Sequence, residues 1–411
     1  MTAARALLTL SLAALLAGCG NPVATAVVPV PAAHVASVTT PRPATPAPAP
    51  AATAAPTPVP TPPPPVPAAV PAPPGGPPEI VVSQTDGPAT VVSVLGPTGR
   101  TLATASAAVG SPWEIRGGPG GAYWEAGGRL HRLSAGGVLT DLGAMPAGAS
   151  FAVSPDGAAV AYATSADSPT AHDMVNRLYV LRGGVSRLIA SRPASTDGPV
   201  ADAPAFWVYR LAGWTPAGIL IAREPSNVCG CGAFGMEYMD AHTALVDPAT
   251  GIAAALPTSQ TCPLSGMGPG EVACFHITTG AEGGAIDALH IARAGAPLDV
   301  LALSGTSVAG DAVFSTDGRR LAYATAPAKL DCGAWESQTT LRVLDLATGT
   351  AHPVGGLGLE PRAWLADGRI LATQAVGTTG IRVVLVDPAR GTVTTLRSLA
   401  STAVITRLAT A

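Results

Sequence analysis

The residues best equipped for chemistry are the cysteines. Cys229-Gly230-Cys231, Cys262, Cys274 and Cys332 lie in the second half of the chain, well away from Cys19 near its start. Where disulfides persist, such residues staple long loops. Cys262 and Cys274 flank one hairpin and make the best pair, with Cys332 bonding Cys229 or Cys231 next. The odd count leaves one thiol over. Reduced, the Cys-x-Cys pair with Cys332 and either His242 or His276 would be a thiolate and imidazole set suited to Cu(I) or Zn. The spacing matches no standard zinc pattern, so neither metal nor cofactor is expected. Six aspartates, Asp156, Asp247, Asp317, Asp345, Asp367 and Asp387, each stand at or just before a Gly-containing turn, where Asp serves the turn rather than a reaction. No Gly-x-Ser-x-Gly elbow, His-Glu-x-x-His helix or phosphate-cradling glycine loop is present, so no catalytic residue can be named from motif.

The turns reveal the elements that must position these residues. An apolar strand ends at Ser315-Thr316-Asp317-Gly318, a second strand follows through Leu321-Ala322-Tyr323, and a third ends at Asp345-Leu346-Ala347-Thr348-Gly349. The first turn returns as Ser154-Pro155-Asp156-Gly157 and Leu365-Ala366-Asp367-Gly368, the second as Asp247-Pro248-Ala249-Thr250-Gly251 and Asp387-Pro388-Ala389-Arg390-Gly391. Recurrence at roughly 45 to 50 residues of short strands and Gly turns predicts an all-β fold, a β-propeller. Blades are expected near residues 112–145, 149–192, 205–258, 260–304, 310–355 and 361–398. Residues 80–105 read as only the last three strands of a blade. A strand from Ala403 to Ala409 can supply the missing innermost one, giving seven four-stranded blades and a ring without open edges. The Ser-Pro-Asp-Gly and apolar-Ala-Tyr units resemble TolB-like and WD-like propeller repeats. That resemblance implies an envelope interaction platform, although propellers host many unrelated functions.

The N-terminal segment speaks to compartment. Arg5 precedes an apolar run from Ala6 to Leu16, too short to span a bilayer, that closes on Leu16-Ala17-Gly18-Cys19. This resembles the lipobox of bacterial lipoproteins, which implies a signal peptide over residues 1–18 and a diacylglyceryl anchor on Cys19. Residues 19–78 carry the anchor and a Pro/Ala-rich stretch, densest at Thr61-Pro62-Pro63-Pro64-Pro65, expected to be an extended tether. At about 3.1 Å per residue it would reach at most on the order of 170 Å. Residues 79–411 would then be the propeller, outside the cytoplasm and held to the membrane by lipid alone. A net charge of −3 with no Lys/Arg cluster argues against nucleic acid or an anionic membrane surface as partner.

Both short turns of every blade fall on one face of such a ring. The longer connections, Ser165–Asn176, Pro193–Arg210, Glu224–His242 and Pro327–Gln338, fall on the other and carry His172, Trp207, Tyr209, Phe234, Tyr238 and Trp335. Aromatic residues are only 4% of the chain, so their presence there suits either a contact surface or anchoring of loops. The expected function is a monomeric binding module for an envelope protein, peptide or glycan on the looped face. The alternatives are a propeller enzyme of lactonase or hydrolase type at the channel mouth, and a metal or redox protein built on the cysteine loops. An enzyme should gather carboxylates or histidines with shifted pKa values at that mouth.

Overall fold

The computed structural model describes residues 80–406, except 87–88, 97, 108–114, 167–174, 194–206, 226–241, 257–263, 269, 279–284, 294–296, 298, 304–306, 328–335, 378–379 and 401–403. The strands form seven antiparallel sheets of four. Blade 1 pairs Val404–Thr406 with Ile80–Asp86, then Ala89–Leu95 and Thr101–Ala107. Blade 2 holds Ile115–Gly118, Gly121–Ala126, Arg129–Leu133 and Leu139–Ala144, and blade 3 holds Ser150–Val153, Val160–Ala166, Val175–Arg182 and Val185–Pro193. Blade 4 is built from Trp207–Thr215, Gly218–Pro225, His242–Val246 and Ala253–Ala255. Blade 5 follows as Leu264–Met267, Glu271–Thr278, Ala285–Arg293 and Asp299–Ala302. Blade 6 comprises Ser307–Phe314, Arg320–Pro327, Thr340–Asp345 and Thr350–Leu357, and blade 7 Leu359–Trp364, Ile370–Val376, Gly380–Asp387 and Thr392–Ala400.

The closing strand pairs Val404, Ile405 and Thr406 opposite Ser83, Val82 and Val81; the rest of the expected segment, 403 and 407–409, lies outside the described residues. Its place is that of the first strand in the other blades, so both ends of the ring meet in one sheet.

The core is a set of seams between sheets. Ala152, Leu178, Leu211 and Ile221 join blades 3 and 4, and Phe275, Leu289, Phe314 and Tyr323 join blades 5 and 6. Val343, Trp364 and Val384 join blades 6 and 7, while Ile80, Val94, Trp124, Leu371 and Leu385 bind blade 1 to both neighbours. The seam between blades 4 and 5 is smaller, with Leu220, Leu256, Val272 and Ala292 at its centre. Side chains alternate across each strand, so a sheet with two packed faces needs apolar residues on both.

In the Asp-Gly turns the glycine takes the positive φ: Gly157 has φ 67°, Gly318 66° and Gly368 83°. The aspartate instead works through its carboxylate. Asp156 accepts from the Ser154 hydroxyl at 2.5 Å and the Ala158 N–H at 3.0 Å, and Asp317 repeats this with Ser315 at 2.6 Å and Arg319 at 3.1 Å. At the other turn Asp247, Asp345 and Asp387 accept from backbone N–H groups two or three residues on. These bonds hold Asp156 and Asp317 below the usual carboxylate range, led by the serine hydroxyl in both. All of them are occupied with folding.

Candidate functional site

First strands of neighbouring blades touch one another, blade 3 with 4, 5 with 6 and 6 with 7, so they are innermost and line the channel. Such strands should be covered wherever they meet a neighbour. In blades 4, 5, 6 and 7 their ladders are broken by a bulge, leaving Ala212, Ser265, Asp311 with Ala312, and Arg362 as the extra residues. A bulge re-aims a side chain out of the ladder. The four bulges stand at matching positions on successive blades, and those of blades 6 and 7 carry charged residues.

Two of them meet. Arg362 Nη1 donates to Asp311 Oδ2 at 2.9 Å, joining blade 7 to blade 6. Its Nη2 donates to Glu360 Oε2 and its Nε to Thr373 Oγ1 at 3.2 Å. The side chains of Arg362 and Asp311 keep 28% and 30% of their exposure on strands whose other described residues are mostly buried, so the cluster opens to solvent. Asp311 has a φ of 52°, the sole positive φ of a non-glycine residue among those described. That conformation costs energy outside glycine and persists where the surroundings impose it. Here the bulge and the Arg362 fork do so.

Glu360 is nearly enclosed. Burial pushes its carboxyl up to about 7; Asp311 and Glu336 push the same way, while Arg362 opposes them. Glu336 comes from the 3-10 turn Glu336–Gln338 in the long connection of blade 6, which packs on the first two strands of blade 7. The first strand of each blade runs toward the Asp-Gly face, so Glu360, near the start of its strand, lies toward the looped side. Across the channel Arg116 of blade 2 passes blade 3 to donate to the Leu211 carbonyl of blade 4 at 2.8 Å, while the Ser150 hydroxyl of blade 3 accepts from the Leu211 N–H at 3.0 Å. A carboxyl poised near neutrality, beside a fixed guanidinium and a second carboxylate, can hold or give up a proton on demand.

Of the residues singled out in the sequence, Tyr209 lies on the first strand of blade 4 rather than in a loop, buried in the seam with blade 3. Trp207 opens that strand, and its side chain lies outside the described set. His172, Phe234, Tyr238, Trp335, Cys19, Cys229, Cys231, Cys262 and Cys332 lie outside the described residues. Cys274 is buried on the second strand of blade 5, opposite Leu264 and His290. Among the described residues no group of three or more His, Cys, Asp or Glu is placed to hold a metal ion, and no helix is long and apolar enough to cross a membrane.

Sequence reasoning missed Arg362, Asp311 and Glu360. A usable signal was there: Asp311-Ala312-Val313-Phe314-Ser315-Thr316-Asp317 and Arg362-Ala363-Trp364-Leu365-Ala366-Asp367 put a charge into a strand that is otherwise largely apolar, five or six residues before the turn aspartate.

No protein-family model matches the chain, and no curated protein matches it. Solved structures do. An acylaminoacyl peptidase from Pyrococcus horikoshii superposes with a TM-score of 0.50 at 10% identity, over 77% of this chain and 50% of that one. The chain is a seven-bladed β-propeller. Two further structures align with it: the periplasmic gluconolactonase of Pseudomonas aeruginosa (TM-score 0.46, 15% identity, 81% of this chain and 99% of that one) and a putative TolB from Agrobacterium tumefaciens (0.36, 14%, 79% and 91%). At such identities the likeness is one of fold, and the propeller's function has to come from its own residues.

Proposed function

We propose that this propeller is a lipid-anchored, extracytoplasmic binding module that takes an envelope protein, peptide or glycan at the looped end of its channel. The observation that carries the reading is the Asp311–Arg362–Glu360 cluster, built from bulges in two adjacent inner strands and open to solvent. The opposite face is taken up by turns whose aspartates are all hydrogen-bonded within the turn. The cluster offers carboxylate acceptors in a fixed frame, suited to hydroxyl or ammonium donors of a polar ligand. The anchor is supported by Leu16-Ala17-Gly18-Cys19. Stapling of the looped face is supported by the closeness of Cys262 in sequence to Leu264, the ladder partner of Cys274.

The test is to replace Arg362 with Met and Asp311 with Asn and to follow cross-linking to envelope components in cells. Both changes should abolish a specific adduct while the purified proteins still melt cooperatively. Adduct formation unchanged in both variants overturns the reading. A second reading, a hydrolase or lactonase-type enzyme at the same mouth, is favoured by Glu360 near pKa 7, a value suited to a general acid. Glu360→Gln distinguishes the two: it should remove turnover in an enzyme yet leave binding by a module largely intact.

A further inference from the structure

The 3-10 turn Glu336–Gln338 does more than connect two strands of blade 6. It packs on the first two strands of blade 7 as well as on the second strand of its own blade. Its C-terminal end is fixed. Gly358, just before blade 7, donates its N–H to the Thr339 carbonyl at 2.8 Å, and the buried Thr339 donates its hydroxyl to the Glu336 carbonyl at 3.0 Å. Gly358 has a φ of 77°, a conformation that glycine supplies without strain.

Carboxyl groups outnumber cations where this turn meets blade 7. Glu360 is buried on the first strand of that blade, its Oε2 held by Arg362 of the same strand. Asp311 faces it from the first strand of blade 6 and accepts from the same guanidinium at 2.9 Å, while Glu336 faces it from the turn. The other charged groups on the packed strands of blade 6 are committed elsewhere: Arg320 lies over the Trp364 ring at 4.6 Å, and Arg342 bonds Tyr323. The second strand of blade 7, Ile370–Val376, carries no ionisable side chain. One guanidinium therefore serves three carboxyls. While Glu360 is protonated, the turn closes on a neutral group. Once it ionises, the turn holds Glu336 against a buried charge of the same sign, a strain that is relieved by letting water in beneath the turn. Burial, opposed by Arg362 and helped by Asp311 and Glu336, keeps that proton up to about 7, so the change falls near neutral pH.

We propose that the turn Glu336–Gln338 is a proton-controlled latch at the looped mouth of the channel, shut over Glu360 in its acid form and released, hinging at Thr339, as that carboxyl ionises. That the latch governs ligand entry rests on the function proposed above. Its movement does not, and is measured with no ligand present.

The test is hydrogen–deuterium exchange of the full chain from pH 4.5 to 8, with the chemical exchange rate at each pH divided out. The protonated carboxyl favours the shut latch, so protection of the amides of residues 336–339 and of Gly358 should be highest near the low end of that range. It should fall by on the order of tenfold or more as pH rises to about 7, and level off above it. Gly368, whose N–H donates to the Leu365 carbonyl at 3.0 Å at the other end of the same blade, should show no such change. Glu360→Gln should keep the latch shut at every pH. Glu336→Gln, at a half-exposed position, should shrink the fall, and it decides alone should Glu360→Gln fail to fold. Protection of the latch that does not vary with pH in the native chain, or that varies equally in Glu336→Gln, overturns the proposal whether or not the channel binds a ligand.

Discussion

Replacing Glu360 with Gln should change how stability depends on pH. The Glu360 carboxyl stands at about 7 in the folded chain against an ordinary glutamate value of 4.5. A group whose pKa is raised by folding favours the folded state in its protonated form. That contribution is full below about 4.5 and is lost as pH rises through about 7. The gap corresponds to on the order of 3 kcal/mol, since each unit of pKa is worth about 1.4 kcal/mol. Gln has the shape of the protonated acid and does not ionise, so its stability lacks this dependence. Thermal melts of the native chain and of Glu360→Gln, recorded in parallel from pH 4.5 to 8, should diverge as pH rises. The variant should gain on the order of 5 °C relative to the native chain, by the usual scaling of melting temperature with free energy in a large domain. Melting temperatures that keep a constant offset across that range would refute the reasoning, since Glu360 would then titrate normally and the channel cluster would lack its proton-sensitive member.

Four further outcomes follow. Ser154→Ala removes the hydroxyl that accepts from the buried Ala159 N–H at 2.9 Å, and should cost about 1–3 kcal/mol in denaturant unfolding without affecting ligand capture. Deletion from Ala403 onward exposes the edge at Val81–Ser83 and splits the ring closure, so the truncated chain should aggregate or melt far below the native one, read by size-exclusion chromatography and calorimetry. Cys19→Ser should abolish acyl labelling and release the protein from membranes; tight association of that variant would remove the lipid anchor from the account. Non-reducing peptide mapping should recover Cys262 linked to Cys274, and finding Cys274 bonded to Cys332 instead would reassign the loops.

The blades were legible because their punctuation is local. A hairpin is decided within a few residues, and Ser-x-Asp-Gly or Asp-x-Ala-Thr-Gly supplies both the left-handed glycine and the side-chain acceptor it needs. The closing strand was legible by deficit, since residues 80–107 hold three strands of a blade and the far end of the chain one. The channel cluster was not, because Asp311 and Arg362 are 51 residues apart and meet only where the inner strands of two blades are both bulged. Bulges have no strong local signature, so a charge in an apolar strand reads as a lapse in the pattern. Tyr209 shows the converse error: an aromatic beside an irregular stretch looked like a loop residue, yet the strand starts at Trp207 and carries it into a seam.

The central claim is that the looped end of the channel, and not the turn face, is where this propeller meets its ligand. The most direct measurement places a photo-cross-linking residue at Glu336, beside the cluster, and in a second strain at Thr348, on the opposite face, and irradiates intact cells. The account predicts a discrete adduct from position 336 that disappears when Arg362 is also replaced by Met, and none from position 348. Adducts from position 348 alone, or equal adducts from both that ignore the Arg362 change, would contradict it.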